Sequence, residues 1–190
     1  MKFRQSGMPD ERYWESLFDI PLILDSLGID HRLGDVVELG CGYGTFSMAV
    51  ASRISGTLAT VDVDPAMVDR TKQRVAEQST SNVQIALRDV VLDGFGVADE
   101  SQDGCLLFNI LHGEEPSRLL ALARQALKPA GKLFVIHWRC DETTPRGPSM
   151  DIRPTPEQCV DWAIDAGFLL VSDGVVDLAP YHWGAVLRRR

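Results

Sequence analysis

From residue 35 onward, the chain alternates short apolar runs with longer amphipathic stretches. Helix-start signals open three of those stretches, at Asp64-Pro65, Pro116 and Thr155-Pro156, and predict helices over 66–78, 117–127 and 157–166. The apolar runs have only four to seven residues, too few for helices, and lie at 36–39, 58–63, 83–87, 105–111 and 133–138. This alternation predicts consecutive β-α-β units and a parallel sheet.

Both ends of the chain depart from this alternation. Before residue 35, apolar positions at helical spacing follow Asp10 as a predicted N-cap, with Pro21 expected to break the segment in two and Gly28 to end it. Segments 169–178 and 182–189, joined by a short connection, predict an antiparallel pair. The predicted fold class is therefore α/β: a Rossmann-like doubly wound sheet of about seven strands, mostly parallel with an antiparallel C-terminal hairpin.

The first predicted strand runs into three glycines at alternate positions, Gly40, Gly42 and Gly44. Glycines there allow positive φ angles and a close approach by a ligand. No lysine follows, so a phosphate-binding P-loop is excluded, and Thr45 stands where a dinucleotide fingerprint needs its third glycine. Glu38, at the end of the strand, opposes a pyrophosphate but attracts an ammonium or sulfonium group.

Two further acids follow the next two predicted strands. Asp62 ends the second strand, where a carboxylate can accept hydrogen bonds from both hydroxyls of a ribose. Asp89 follows the third strand and could accept a hydrogen bond from an adenine amine, with Val90 as an apolar wall. Because ligands of open α/β sheets bind at the carboxyl ends of the strands, these acids predict a site for a cation-bearing nucleoside.

At these residues the chain resembles the class I S-adenosylmethionine-dependent methyltransferases. The resemblance is carried by 38–44, 61–64, 88–90, 103–109 and 127–133, with Ala130 where glycine is commoner. It implies S-adenosyl-L-methionine as the cofactor, held by Glu38, Gly40, Cys41, Gly42, Gly44, Asp62, Val63, Asp89, Val90 and Asn109. It also implies one domain over 1–190: a helical lead-in or lid (1–33), a cofactor-binding core (34–139), and an acceptor-side loop, helix and hairpin (140–190).

Methyl transfer from a sulfonium mainly requires an aligned nucleophile, so no catalytic residue is obligatory. A base is needed only where the acceptor is protonated, and His112, which follows the fourth predicted strand, is the candidate, with His137 nearby. The spacing of His and Cys residues fits no standard metal site, so none is expected. Tyr13 and Trp14 fit core packing better than a lid over the acceptor.

Composition limits the acceptor. The 190 residues suit one domain, with 45% hydrophobic and 24% charged residues, and 19 basic against 27 acidic residues give a net charge of −8. The region 89–117 holds seven acids and no lysine or arginine, which predicts an acidic rim along one side of the site. We therefore expect a small-molecule acceptor and no nucleic-acid or membrane partner. Arginines 139, 146 and 153 flank a loop that is either structural or grips the acceptor.

Four widely spaced cysteines, with neither an N-terminal signal segment nor an apolar membrane span, lead us to expect free thiols in a cytoplasmic protein. Two alternatives remain open: a non-catalytic S-adenosylmethionine-binding or regulatory protein on the same fold and, less favoured, a nicotinamide-dependent oxidoreductase. The acceptor, its nucleophilic atom and the oligomeric state do not follow from the sequence.

Overall fold

The computed structural model describes residues 8–190, apart from the side chains of residues 172 and 173. Residues 1–7 of the expected lead-in (1–33) lie outside the described residues. The helices are α1 (Glu11–Glu15), α2 (Ile20–Leu27), α3 (Thr45–Ala51), α4 (Pro65–Glu77), α5 (Val90–Asp93), α6 (Pro116–Ala126) and α7 (Pro156–Asp165). The strands are β1 (Val36–Leu39), β2 (Leu58–Asp62), β3 (Val83–Leu87), β4 (Gln102–Phe108), β5 (Leu127–Trp138), β6 (Phe168–Leu178) and β7 (His182–Arg189).

These strands form one sheet in the order β3-β2-β1-β4-β5-β7-β6. β1 to β5 pair with one another in parallel, and β7 is antiparallel to both β5 and β6. The chain leaves β1 for β2 on one side, then returns to place β4 on the other, so the sheet has its switch point between β1 and β4. The predicted mostly parallel sheet with a C-terminal hairpin is confirmed.

Alternating side chains on the buried strands fill two separate cores. In β1, Val36 packs into the core that contains the apolar faces of α2 and α3, whereas Val37 packs into the core beneath α6 and α7. Both valines are fully buried. The near-continuous apolar runs of the sequence follow directly, because a parallel strand covered on both faces needs apolar residues at odd and even positions.

Most helix ends follow the sequence signals. Asp10 and Asp64 accept hydrogen bonds from the first backbone N–H groups of α1 and α4, and Thr155 forms a reciprocal capping box at α7. Gly28 ends α2 in the left-handed conformation. The expected role of Pro21 was wrong: the break between α1 and α2 precedes it, and Pro21 lies in the first turn of α2, where its missing N–H costs nothing.

The sequence misplaced the segments that surround the site. β4 ends at Phe108 instead of continuing to residue 111, because Asn109 adopts a positive φ of 58° and turns the chain out of the sheet. The short helix α5, which begins directly after Asp89, was not predicted. Within residues 8–190, the helices are all too short to cross a bilayer.

Candidate functional site

A cavity of about 340 Å³ opens at the carboxyl ends of the parallel strands. It starts at the glycine loop after β1, passes the residues that follow β2, β3 and β4, and ends against β5 and the loop 146–148. This is the crevice in which open α/β sheets bind their ligands. The predicted site residues that line it are Glu38, Gly40, Cys41, Gly42, Asp62, Val63, Asp89, Val90, Asn109 and His112.

The glycine loop forms one wall of the cavity. Gly40 and Gly42 have φ angles of 86° and 51°, which side-chain-bearing residues rarely adopt. A Cβ on Gly40 would come within 3.3 Å of Ile110, which also lines the cavity, so a side chain there would narrow it. Gly44 differs from the other two, because it precedes α3 with φ 76° and does not line the cavity. The structure gives it a role in the turn, and its contact with a ligand stays a prediction.

Asp62 fixes the shape of this loop. One carboxylate oxygen accepts the Gly42 N–H at 3.0 Å and the other accepts the Asp64 N–H, also at 3.0 Å. The side chain is buried yet lines the cavity beside the half-exposed Val63. A carboxylate has about four acceptor positions, so two remain for donors of a bound ligand. The two hydroxyls of a ribose match that number.

Glu38 lies deeper in the same wall. Its Oε2 accepts hydrogen bonds from Ser47 Oγ at 2.5 Å and Thr60 Oγ1 at 2.7 Å, and all three side chains are buried. Burial raises the pKa of the Glu38 carboxyl to about 7, against the opposing effect of the two hydroxyls. A cation in the cavity would therefore favour the ionised form of a carboxyl that is otherwise poised near neutrality.

Asp89 and Asn109 close the cavity at the ends of β3 and β4. Asp89 Oδ1 accepts the Val91 N–H at 3.1 Å as the N-cap of α5, which places the buried Val90 against the cavity. The Asn109 Oδ1 is buried and has no hydrogen-bond partner. Because an unpaired buried oxygen is costly, this atom points to a ligand donor such as an ammonium group.

These features fit S-adenosylmethionine. The glycine loop leaves room for a flat or extended ligand, Asp62 offers acceptors for a ribose, and the Asn109 oxygen lacks a donor. Glu38 supplies the negative charge that a sulfonium or ammonium requires. All the residues that the sequence associated with the cofactor, except Gly44, therefore meet in one cavity.

The far end of the cavity is aromatic. Trp14, Phe46, Phe108 and Trp138 line it. The rings form a continuous edge-to-face series through Phe18, with centroids 4.8–6.3 Å apart. Of the two lead-in aromatics, Trp14 is half-buried in this wall, whereas Tyr13 is 41% exposed, so the expected core packing of Tyr13 was wrong. Met8 and Pro9, from the same lead-in, also line the cavity, and the Met8 side chain lies beside Gly42 at the glycine-loop end.

Two histidines meet beside this aromatic wall. His112 Nδ1 lies 3.2 Å from His137 Nε2, and His137 Nδ1 lies 3.2 Å from the Trp138 carbonyl oxygen. Burial lowers the pKa of His137 to about 3 and also lowers that of His112, to which the nearby Arg153 charge contributes. A third histidine, His182, begins β7 of the C-terminal hairpin and is buried against Phe18 and Trp138.

The three loop arginines have different surroundings. Arg153 donates to the carbonyls of Arg139, Arg146 and Pro148, and its guanidinium lies 6.0 Å from the centre of the Trp138 ring. Arg139 pairs with Asp141 and Asp177 on the surface. Arg146 lines the cavity. The sequence left a structural role and an acceptor-binding role open for this loop. Arg153 has a structural role, whereas Arg146 lines the cavity and its role in acceptor binding stays a prediction.

The interpretation of one continuous acidic rim was wrong. Asp103 lies at the amino end of β4, where it pairs with Lys128 and accepts the Asp35 N–H, and Asp99 and Glu100 precede that strand. These three acids therefore lie at the opposite end of the sheet from the cavity. Only the acids after β3 and β4 face the carboxyl edge, which weakens the electrostatic argument against a nucleic-acid acceptor.

Comparison with known proteins connects this geometry to a family. Residues 36–131 match the family model described as "Methyltransferase domain". The 23S rRNA (uracil(1939)-C(5))-methyltransferase of Alcanivorax borkumensis is 28% identical over 85% of this chain, which corresponds to 33% of that protein. The chain spans less than half the length of the curated relatives that it matches.

Solved structures share the fold. A crystal structure of a SAM-dependent methyltransferase from Aquifex aeolicus superposes with a TM-score of 0.82 at 22% identity, covering 95% of this chain and 94% of the other. The crystal structure of the [4+2]-cyclase SpnF superposes with a TM-score of 0.76 at 16% identity, covering 97% and 84%. At these identities, the likeness concerns the fold alone.

Proposed function

We propose that this chain, which belongs to the class I S-adenosylmethionine-dependent methyltransferases, transfers a methyl group to a small-molecule acceptor. The observation that carries the proposal is a single cavity with two unlike ends. One end has the glycine loop, Asp62 and the unpartnered Asn109 oxygen, and the other has aromatic rings and His112. A donor and an acceptor can therefore occupy the same cavity next to each other.

Bound S-adenosylmethionine supplies an electrophilic methyl group on a sulfur that leaves as a neutral thioether. The chain's own residues would hold it: Asp62 accepts the ribose hydroxyls, Asn109 accepts an ammonium donor, and Glu38 provides a buried negative charge. Asp89 and Val90 border the place expected for the adenine. Positioning of this kind is the main contribution that a displacement reaction needs from a protein.

The size and cover of the cavity support a small acceptor. Its volume is about 340 Å³, near the lower end of the range for small-molecule sites. Met8 and Pro9 border it on one side and the loop 146–148 on another. A structured nucleic acid would need an open groove lined by basic side chains. Because one relative methylates ribosomal RNA, RNA is nevertheless the competing acceptor that any test must include.

A non-catalytic S-adenosylmethionine-binding or regulatory protein is the second candidate. The superposition on the [4+2]-cyclase SpnF keeps this candidate open, because the name of that protein gives a reaction other than methyl transfer for the same fold. A screen with tritiated methyl donor separates the two functions. A methyltransferase releases S-adenosylhomocysteine together with a labelled product, whereas a binder saturates with the donor and releases neither.

Calorimetry with S-adenosylmethionine and S-adenosylhomocysteine tests the site directly. We expect Asp62→Asn to weaken binding at least about tenfold, since it removes a charged acceptor and loosens the loop at Gly42. The matched control is Asp69→Asn, an acid on α4 whose side chain is 79% exposed. Unchanged binding by Asp62→Asn, or no binding of either ligand by the natural protein, would refute the proposal.

A further inference from the structure

The two contacting histidines fix each other's protons. The Trp138 carbonyl can only accept a hydrogen bond, so His137 Nδ1 carries the proton. Because the His137 ring is neutral, its Nε2 is unprotonated and can only accept a hydrogen bond. His112 Nδ1 must then be the donor in the contact of 3.2 Å. In neutral His112, this arrangement leaves the lone pair on Nε2.

This tautomer determines what His112 can bind. A bare Nε2 accepts a hydrogen bond, so its partner in the cavity must carry an O–H or N–H group. A carboxylate acceptor has no proton to donate, so it would be repelled by the lone pair of His112 Nε2. The cavity that His112 lines also contains the aromatic wall, the Arg146 side chain and the Asn109 amide.

The aromatic wall determines the rest of the acceptor. Phe46, Phe108 and Trp138 are at most 8% exposed. Phe46 packs edge to face on Phe108, and Phe18 joins Phe46 to Trp138, so the orientations of the rings are fixed. A preformed wall of rings favours a flat ring that packs against it, with a gain beyond the area buried. An extended sugar or peptide would find few hydrogen-bond partners here.

Resting on the proposed methyl transfer, we propose that the acceptor is a planar aromatic compound with a hydroxyl group, that His112 Nε2 takes the hydroxyl proton, and that His137 positions His112 for this step. As the proton moves to Nε2, the acceptor oxygen bonds to the methyl carbon and the carbon–sulfur bond breaks, with its electron pair staying on sulfur. His112 then returns the proton to water. His112 is the catalytic residue and His137 the positioning residue.

The first experiment observes the free protein. Long-range ¹H–¹⁵N spectra of the imidazoles should show His112 neutral and protonated at Nδ1 near pH 7. In His137→Phe, which removes the acceptor, His112 should return to the Nε2-protonated form usual in water, whereas His137→Gln, which keeps an acceptor oxygen, should restore Nδ1 protonation. A His112 protonated at Nε2 in the natural protein overturns the positioning role.

The second experiment uses 4-nitrophenol, 2-naphthol and 7-hydroxycoumarin as probes of the S-adenosylhomocysteine complex. We expect at least one to bind, with a shift of its absorbance to longer wavelength, because its hydroxyl donates a hydrogen bond to His112 Nε2, and we expect His112→Phe to abolish this shift. Nitrobenzene, which lacks the hydroxyl, should bind at least about tenfold more weakly than 4-nitrophenol. If S-adenosylhomocysteine binds but none of the three hydroxyl probes does, or if oligouridylate competes with them, the acceptor class is wrong while donor binding stands.

Turnover of the bound probe gives the third readout. His137→Phe should lower kcat by about tenfold to a hundredfold with little change in the KM for the donor, and His137→Gln should recover most of it. Activity should rise with pH through the lowered pKa of His112, which contacts His137 on β5 and lies within reach of the Arg153 charge of the loop. His182→Phe is the matched control, because His182 is buried nearby but does not line the cavity. An equal loss in both variants would reduce His137 to a packing residue.

Discussion

The Glu38 carboxyl combines complete burial with a position beside a site for a cation. Its pKa is raised to about 7, with burial as the largest cause, so the folded protein holds this proton more tightly than the unfolded chain does. The free energy of unfolding should therefore fall as pH rises from about 4.5 to about 7, by about 3 kcal/mol at most. Ionised Glu38 is therefore unfavourable in the free protein, and it lies where the charge of a cationic ligand would stabilise it.

We predict that S-adenosylmethionine binding at about pH 6.5 releases protons from Glu38, because the ligand's charge lowers the carboxyl pKa toward its ordinary value. Calorimetric titrations in two buffers of different ionisation enthalpy measure the release. Glu38→Gln keeps an acceptor for Ser47 and Thr60 but cannot ionise, so it should release fewer protons and be more stable above pH 7. Equal release by both proteins would contradict a titrating Glu38.

At the scale of elements, one side chain organises the loop between β5 and α7. The buried Arg153 guanidinium donates to three backbone carbonyls of this loop, and Gly147 is so close to Trp138 that a Cβ there would lie 2.8 Å from the ring. The loop thereby places the chain at 146–148 against the cavity. Because the loop has few secondary-structure hydrogen bonds, its order depends mainly on Arg153.

We predict that Arg153→Gln loosens this loop. Each charged hydrogen bond contributes about 1.5–3 kcal/mol, so the loss should amount to about 2 kcal/mol or more in unfolding free energy. Hydrogen exchange at 140–152 should accelerate, while donor affinity changes little.

The matched control for Arg153→Gln is Arg139→Gln. Arg139 pairs with Asp141 and Asp177, whose side chains are 61% and 67% exposed, and such surface pairs contribute at most about 1 kcal/mol. If exchange at 140–152 accelerates equally in both variants, the carbonyl contacts of Arg153 are not what orders the loop.

The elements that the sequence predicted are those whose cause is local. The β-α alternation, the caps at Asp64 and Thr155, and the glycine loop all depend on residues within a few positions of each other. The sequence did not show which strand of the C-terminal hairpin lies inside the sheet and which forms its edge, because both strands carry apolar runs. In the structure β7 is buried between β5 and β6, while β6 forms the sheet edge with Leu169, Leu170 and Val175 exposed.

The parts of the site that depend on long-range placement could be predicted only coarsely. The sequence predicted that His112 and His137 lie at the ends of neighbouring strands. It could not predict their 3.2 Å contact or the positions of their protons. Treating the acids of region 89–117 as neighbours failed because β4 carries Asp103 to the opposite end of the sheet. A strand about 20 Å long separates residues that are close in sequence.

At the scale of the whole molecule, the lead-in is held across the cavity by polar contacts to α4 and the glycine loop. Glu11 makes a two-bond ion pair with Arg70, at 2.8 and 2.9 Å, and Glu15 pairs with Arg74 at 2.5 Å. Tyr43, in the glycine loop, donates its hydroxyl to the Pro9 carbonyl at 2.6 Å. The chain at Met8 and Pro9, which lines the donor end of the cavity, is therefore positioned by charges about sixty residues away in sequence.

We predict that Glu11→Gln opens this cover. With the Arg70 pair weakened, hydrogen exchange at residues 8–16 should accelerate, and S-adenosylmethionine should dissociate several-fold faster while its association rate changes little. The Glu11 and Arg70 side chains are each 27% exposed, so added salt should partly reproduce the effect in the natural protein. The same loss should occur at low pH, below the pKa of Glu11, which the Arg70 hydrogen bonds lower.

Glu77→Gln is the control variant for this test. It distinguishes an effect of the lead-in contacts from an effect on α4 itself. Glu77 contacts the same Arg70 at 3.5 Å, but it lies on α4 itself and is 51% exposed, so its loss leaves the contacts to the lead-in intact. Exchange at residues 8–16 and donor dissociation should then remain as in the natural protein. If Glu77→Gln accelerates dissociation as much as Glu11→Gln does, the effect comes from α4 and the lead-in does not retain the donor. If only Glu11→Gln does so, opening of the N-terminal segment is the step that limits release of the donor.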